Sequence, residues 1–197
     1  MNPPAEIRHP YDMFCDWFEL AKQNEPSDVD AASIATVDED GRPSIRIVLI
    51  RAMSEAGFSF YTNLGSRKAR DISSNPHIAL CFHWKSIAKQ IRVEGEAQQV
   101  TNADADAYFA GRPRESQIGA WASRQSEVLT SREALEERFQ DQEQQYAEKN
   151  VQRPPFWSGF LLRPSVFEFW DKRPFRLHDR QRYTKRGNGW HRELLFP

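Results

Sequence analysis

The stretch Tyr61-Thr62-Asn63-Leu64-Gly65-Ser66-Arg67-Lys68 sets hydroxyls and two adjacent cations around a glycine. A strand ending at Thr62, a tight turn at Gly65 and a helix capped by Ser66 and running to about Ser73 would aim backbone N–H groups and cationic side chains at one spot. Together these make an anion site. Arginine offers a planar fork for phosphate oxygens and lysine a point charge. Arg46, at the head of the apolar run Ile45–Ile50, is a further cation for the same anion. The same spacing also fits ordinary helix-surface charges, so the phosphate reading stands beside that simpler one.

Two other groupings invite the same question. Tyr108, Arg112 and Ser116 recur at steps of four, with Pro113 breaking the helix between them. A phenol, a guanidinium and a hydroxyl along one side suit a second phosphate, or simply a solvated helix end. Arg176, His178 and Arg180 alternate with Leu177 and Asp179. In an extended chain they would face one way and repel unless an anion or an aromatic ring lay over them. A basic edge strand that deters edge pairing is the alternative.

Other chemistries lack their signatures. The chain has no phosphate-binding glycine-rich loop after a strand, no GxSxG and no HExxH. His77 and His83 could share a strand face, but no cysteine or carboxylate completes a ligand set, so no metal is expected. Cys15 and Cys81 form no CxxC or disulfide framework, which suits a reducing, cytoplasmic setting. Lys+Arg 27 against Asp+Glu 28 leaves a net charge of −1, which favours neither nucleic acid nor anionic membrane. No apolar run is long enough to cross a bilayer, and Met1–Pro10 has no apolar secretion segment.

The elements that must position these groups are legible in the periodicity. At 197 residues with 39% hydrophobic composition, one domain is expected, residues 1–9 forming a flexible N-terminal segment. Phe14, Trp17, Phe18 and Ala21 recur at helical spacing from Pro10 to about Gln23. Ala32–Val37, Ser44–Ile50, Phe58–Thr62, Ile78–Trp84 and Gln90–Val100 read as strands. Asp38-Glu39-Asp40-Gly41 is the clearest hairpin turn, and Gly57 and Asn75-Pro76 mark others. Ile45–Ile50 is apolar on both parities except for Arg46, which predicts a central strand buried on both faces. Helices follow at Asn102–Ala110, from near Pro113, and over Ser131–Glu148, and short strands at Val166–Trp170, Arg180–Lys185 and Trp190–Leu195 close the chain. The class is α+β: an antiparallel, Greek-key-like β-barrel with peripheral helices.

Over nearly its whole length the sequence resembles the pyridoxamine 5'-phosphate oxidase family. The resemblance is carried, in order, by RIVLI at Arg46–Ile50, FYTNLGSRK at Phe60–Lys68, RPRESQIGAW at Arg112–Trp121, RQS at Arg124–Ser126, FEFW at Phe167–Trp170 and RLHDR at Arg176–Arg180. It implies an FMN-binding split β-barrel acting as a homodimer with FMN at the interface. By the same resemblance Arg46, Arg67 and Lys68 hold the FMN phosphate, with Tyr61, Thr62 and Ser66 alongside. The backbone of Ile47, Val48, Leu49 and Ile50 runs beside the cofactor, and Gln90 meets the flavin edge. Gln125, Ser126, Trp170 and Arg180 complete the site, partly from the other subunit. The substrate phosphate falls on Tyr108, Arg112 and Ser116, with Arg51 beside it where the family usually has lysine. Arg176 and His178 face the pyridine ring as the catalytic pair, and Asp28 aligns with an acidic residue near the substrate. The stretch before Pro10 is short and lacks the Arg-and-Tyr-containing arm that often covers the substrate in the family.

The implied reaction is oxidation of pyridoxamine or pyridoxine 5'-phosphate at C4' to pyridoxal 5'-phosphate. O₂ is the final acceptor, and hydrogen peroxide is released, together with ammonia from the amine. The cofactor carries the redox chemistry and the protein supplies alignment and charge. A same-fold flavin oxidase acting on another aromatic substrate, such as a phenazine precursor, is the nearest alternative. A non-catalytic nucleic-acid platform is the more distant one, because Lys172–Arg192 is rich in arginine with Phe175, Tyr183 and Trp190 interleaved. The slightly negative overall charge counts against it.

Overall fold

The computed structural model describes residues 8–197. The flexible segment expected at residues 1–9 therefore lies outside the described residues except for Arg8 and His9; the Trp190 indole N–H donates to His9 Nε2 at 2.9 Å. Helix α1 spans Pro10–Asn24, with proline in its first turn where no N–H is needed. Its apolar stripe drives Phe14 into the core, edge-on to Phe58 at 4.8 Å and to Phe82 at 5.3 Å.

The strands are β1 (Ala31–Val37), β2 (Pro43–Leu49), β3 (Ala52–Ser54), β4 (Gly57–Asn63), β5 (His77–Trp84), β6 (Lys89–Gln99), β7 (Trp157–Asp171), β8 (Asp179–Arg186) and β9 (Gly189–Leu194). The remaining helices are α2 (Arg67–Ser74), α3 (Asn102–Ala110), α4 (Arg114–Ala122) and α5 (Arg132–Gln145). All pairings are antiparallel, in the order β2-β1-β5-β6-β7-β4-β3, with β8 and β9 added beyond β7. Phe58, Phe60, Phe82, Phe167 and Phe169 fill the curled sheet together with Ile34, Leu80 and Ile91.

β7 holds the barrel together and splits it. One edge lies on β6 along its length, while the other is shared by β4 (Phe58–Asn63) and β8 (Asp179–Thr184). Sequence reasoning found only Val166–Trp170 of this strand, because Gly159 and Pro164 punctuate the first half. Pro164 sits opposite Gly95 at a register shift, where a missing N–H costs little. A Cβ on Gly95 would come within 2.0 Å of the Arg163 carbonyl oxygen.

Two expectations are corrected. Ile45–Ile50 is not a central strand buried on both faces: β2 pairs with β1 alone and forms one end of the sheet order. Ile45 and Ile47 are 70% and 63% exposed in the single chain. Apolar composition signals burial without saying against what, and among the described residues no other element covers that face. Arg176, His178 and Arg180 do not alternate along one strand either. Pro174–Arg176 is a 3₁₀ turn in which Phe175 (φ 59°) and Arg176 (φ 63°) are left-handed, so the extended chain begins only at Asp179.

Candidate active site

One large cleft, about 1380 Å³, opens between β2, β4, the start of α2, and α3–α4. Both anion groupings of the sequence line it, one on each side. On the first side α2 begins where expected: the Ser66 hydroxyl accepts the Ala69 N–H and caps the helix. Lys68 in its first turn is buried at 8% exposure, and its Nζ donates to Thr62 Oγ1 at 3.0 Å. The ammonium takes part in no ion pair among the described residues. Burial, and then the nearby Arg46 charge, lower its pKa to about 8.

Arg46 reaches the same spot from β2. Its Nη1 donates to Thr36 Oγ1 at 2.6 Å and its Nη2 to Ser44 Oγ at 2.5 Å. The Thr36 hydroxyl in turn donates to the buried Asp71 carboxylate at 2.6 Å, which lies 3.8 Å from Arg46. Arg67 adds a partly exposed cation, 3.6 Å from Asp38. Arg46, Arg67 and Lys68 thus face Asp71 and Asp38, and the more buried lysine is left uncompensated. That is an electrostatic deficit an anion would fill.

The loop after α4 closes this side. Gln125 Oε1 accepts from Thr62 Oγ1 at 2.9 Å and from the Asn63 N–H at 3.3 Å. Ser126, held at φ 73°, accepts the Arg67 N–H at 3.2 Å. Ile47, Val48 and Leu49 also line the cleft, whereas Ile50 is buried in the core at 2% exposure.

The second side is a slab of rings. Tyr61 and Tyr108 lie parallel with centroids 3.8 Å apart and 4° between their planes, and Trp157 is parallel to both. Arg112, between α3 and α4, stacks over Trp157 at 4.8 Å and Phe109 at 5.5 Å. Burial pushes its pKa down, with Arg51 contributing like-charge repulsion. Its Nη1 is buried and has no hydrogen-bond partner. A donor left so costs free energy unless a ligand accepts from it. Ser116 on α4 and Arg51, which pairs with Asp30 at 2.8 Å, share the cleft wall.

The remaining expected residues lie elsewhere. Asp28 sits in the turn before β1 at φ 48° and does not line the cleft. Gln90, Trp170 and Arg180 are register partners across β6, β7 and β8, forming a row outside the cleft. His178 packs on Trp170 at 4.6 Å between ring centroids. Arg180 is held by the buried Glu168, its Nε 2.8 Å from Oε1. Arg176 occupies the turn at the end of this row.

Sequence reading missed Thr36, Asp71 and Trp157. The first two carried a signal: Thr36 falls on the buried parity of Ala32 and Ile34, and Asp71 on the helix face of Lys68 and Ile72. A polar group on a core-facing position needs a partner. Trp157 carried none, since a tryptophan in an aromatic run reads as core.

Comparisons with known proteins agree with this geometry. Residues 22–146 match the family model described as pyridoxamine 5'-phosphate oxidase. Residues 157–197 match that of the pyridoxine 5'-phosphate oxidase C-terminal dimerisation region. The chain is 51% identical to the pyridoxine/pyridoxamine 5'-phosphate oxidase of Rhodospirillum rubrum, covering 98% of each chain. It is 48% identical to that of Gluconobacter oxydans, over 95% of this chain and 94% of the relative. PhzG from Burkholderia lata, solved in complex with tetrahydrophenazine-1-carboxylic acid, superposes with a TM-score of 0.90 at 30% identity, covering 100% of this chain and 95% of that one. A split antiparallel barrel, a cleft with a cationic cradle on each side, and relatives this similar over nearly their full length lead to one conclusion: the chain belongs to the pyridoxamine 5'-phosphate oxidase family.

Proposed function

We propose that this protein is an FMN-dependent oxidase. It converts pyridoxamine 5'-phosphate or pyridoxine 5'-phosphate to pyridoxal 5'-phosphate with O₂, releasing hydrogen peroxide, and ammonia from the amine. The observation that carries the reading is the single cleft with two phosphate-type cradles, Arg46–Arg67–Lys68 on one side and Tyr108–Arg112–Ser116 on the other. The relatives near 50% identity bear the names of enzymes acting on these compounds.

The residues present fit the cofactor. Lys68, buried and without an ion pair among the described residues, suits the FMN phosphate, with Thr62, Ser66 and the α2 N-terminus as hydrogen-bonding company. Gln125 and Ser126 extend this cradle. Bound flavin would supply the two-electron oxidation of C4' and its own reoxidation by O₂. The chain's part is placement and charge. Arg112, Tyr108, Ser116 and Arg51 anchor the substrate phosphate, Arg176 orients the pyridine ring, and His178 gives it a polar contact. Water enters at C4' when the amine is the substrate, so no protein nucleophile is required.

Gln90, Trp170, Arg176, His178 and Arg180 would reach a cleft as the other copy's contribution in a homodimer. Support comes from their position outside this chain's own cleft, from the match of residues 157–197 to a dimerisation region, and from the exposed Ile45 and Ile47. A two-fold axis would then complete two equivalent sites.

The reading is tested by reconstituting the protein with FMN and supplying pyridoxamine 5'-phosphate in air. Pyridoxal 5'-phosphate and peroxide should appear in equal amounts. FMN binding without turnover would favour a flavin oxidase of another aromatic substrate, the reading that the likeness to PhzG keeps in view. Failure to bind FMN would overturn both.

A further inference from the structure

The geometry points to Trp157 as a positioning residue for substrate phosphate, acting through Arg112. This rests on the reading of the Arg112 cradle as the seat of that phosphate. Arg112 takes part in no ion pair among the described residues, and its Nη1 is buried without a partner. The groups facing the guanidinium are ring faces: Trp157 at 4.8 Å, the nearer, and Phe109 at 5.5 Å. A guanidinium over an indole is attracted by the ring's negative face while its in-plane N–H groups stay free to donate. A carboxylate partner would occupy those donors and cancel the charge. The ring face does neither, so Arg112 is restrained yet remains available for a bidentate contact with an anion.

Trp157 is itself fixed from behind. Arg153 Nη1 donates to the Trp157 carbonyl at 2.7 Å, while its Nε meets Asp106 at 2.6 Å and its Nη2 meets Asn102 at 3.2 Å. One half-buried guanidinium thus ties the first residue of β7 to α3, the helix that carries Tyr108 and leads into Arg112. On the other side Trp157 pairs with Asn63, next to Thr62 of the cofactor cradle. The Trp157 backbone ties α3 to β4 while its indole carries Arg112, so the orientation of Arg112 is set by the same frame that holds Thr62.

The test compares holoenzymes carrying Trp157→Met, which keeps apolar bulk without a ring face, Trp157→Phe, which keeps a weaker face, and Arg112→Ala. For each, KM and kcat for pyridoxamine 5'-phosphate, the inhibition constant of inorganic phosphate, and the FMN dissociation constant are measured. In Trp157→Met, KM and the phosphate inhibition constant should rise together by about tenfold, with a smaller change in kcat and in FMN affinity. Trp157→Phe should recover most of the loss. The inference is overturned if Trp157→Met leaves both phosphate-dependent constants unmoved while Arg112→Ala raises them, or if FMN affinity falls as much as substrate affinity does. If Arg112→Ala itself changes neither constant, the underlying reading of the cradle fails instead. Should Trp157→Met not fold, global replacement of tryptophan by 5-fluorotryptophan weakens the ring face without altering packing. KM should then rise a few-fold in the parent and not in Trp157→Phe; equal behaviour in both would refute the role.

Discussion

Lys68 Nζ lies 3.0 Å from the Thr62 hydroxyl, and the nearby charge that perturbs it is another cation, Arg46. With its pKa lowered to about 8 from the ordinary 10.5, the amine is protonated at neutral pH and loses its charge as pH rises through 8. An FMN phosphate in contact would favour the ammonium and raise that pKa. FMN affinity should therefore be at its plateau below about pH 8 and fall with increasing pH, by up to tenfold per unit, until the bound-state pKa is passed. Fluorescence titration of the apoprotein between pH 7 and 10 measures this, and Lys68→Met should flatten the curve. The apoprotein should behave oppositely: between about 8 and 10.5 the unfolded chain holds the proton and the folded chain does not, so stability gains with pH across that window. A flat affinity profile in the parent would mean Lys68 does not face the anion.

Gly159 is required where it faces Tyr61 across the β4–β7 pair. A Cβ there would lie 2.7 Å from the Tyr61 ring and 2.8 Å from the Phe60 carbonyl oxygen. The ring could turn away, but the backbone oxygen belongs to a buried strand and yields at greater cost. Gly159→Ala should lower stability by about 1–3 kcal/mol. It should also disturb the Tyr61–Tyr108 stack, raising KM for the phosphorylated substrate. Denaturant melts and steady-state kinetics report the two effects separately.

The two cradles should separate by mutation. Arg67→Ala removes a cation beside the α2 N-terminus and should weaken FMN binding by about tenfold or more, with substrate KM nearly unchanged at saturating cofactor. Arg176→Ala should do the reverse, lowering kcat/KM far more than FMN affinity. Equal effects of either substitution on both quantities would show that the sites are not divided as assigned.

Much of this site was legible in the sequence because its parts are local. The Ser66 cap with Arg67 and Lys68 lies within one helical turn, and Tyr108, Arg112 and Ser116 follow one another closely across the α3–α4 junction. Periodicity and cap chemistry therefore placed them, and α3 begins and ends where it was expected. What pattern missed is non-local. Thr36 and Asp71 meet only because α2 packs against β1. Trp157 enters the cleft only because β7 pairs with β4. Ile45 and Ile47 look like core because apolar composition signals burial without saying against what, yet both stand exposed in the single chain. The Phe175–Arg176 turn escaped because neither residue is a glycine, the usual sign of a left-handed backbone.

The register Gln90–Trp170–Arg180 gives the strongest test of shared sites. These residues lie across neighbouring strands outside the cleft that holds Arg112. If each working site takes its cleft from one copy and its row from the other, two defective variants should complement. Arg112→Ala spoils the cleft of its own copy, and Arg176→Ala spoils the contribution made to the partner's cleft. In a hybrid of the two, one site carries both lesions and the other carries neither. Coexpression at equal levels makes about half of the dimers hybrids, so about a quarter of all sites should be intact. Activity near a quarter of the parent's, well above either variant alone, is the expected result, and separation of hybrids by differential tags should locate it in them. Activity equal to the mean of the two variants would place cleft and row in the same subunit's site.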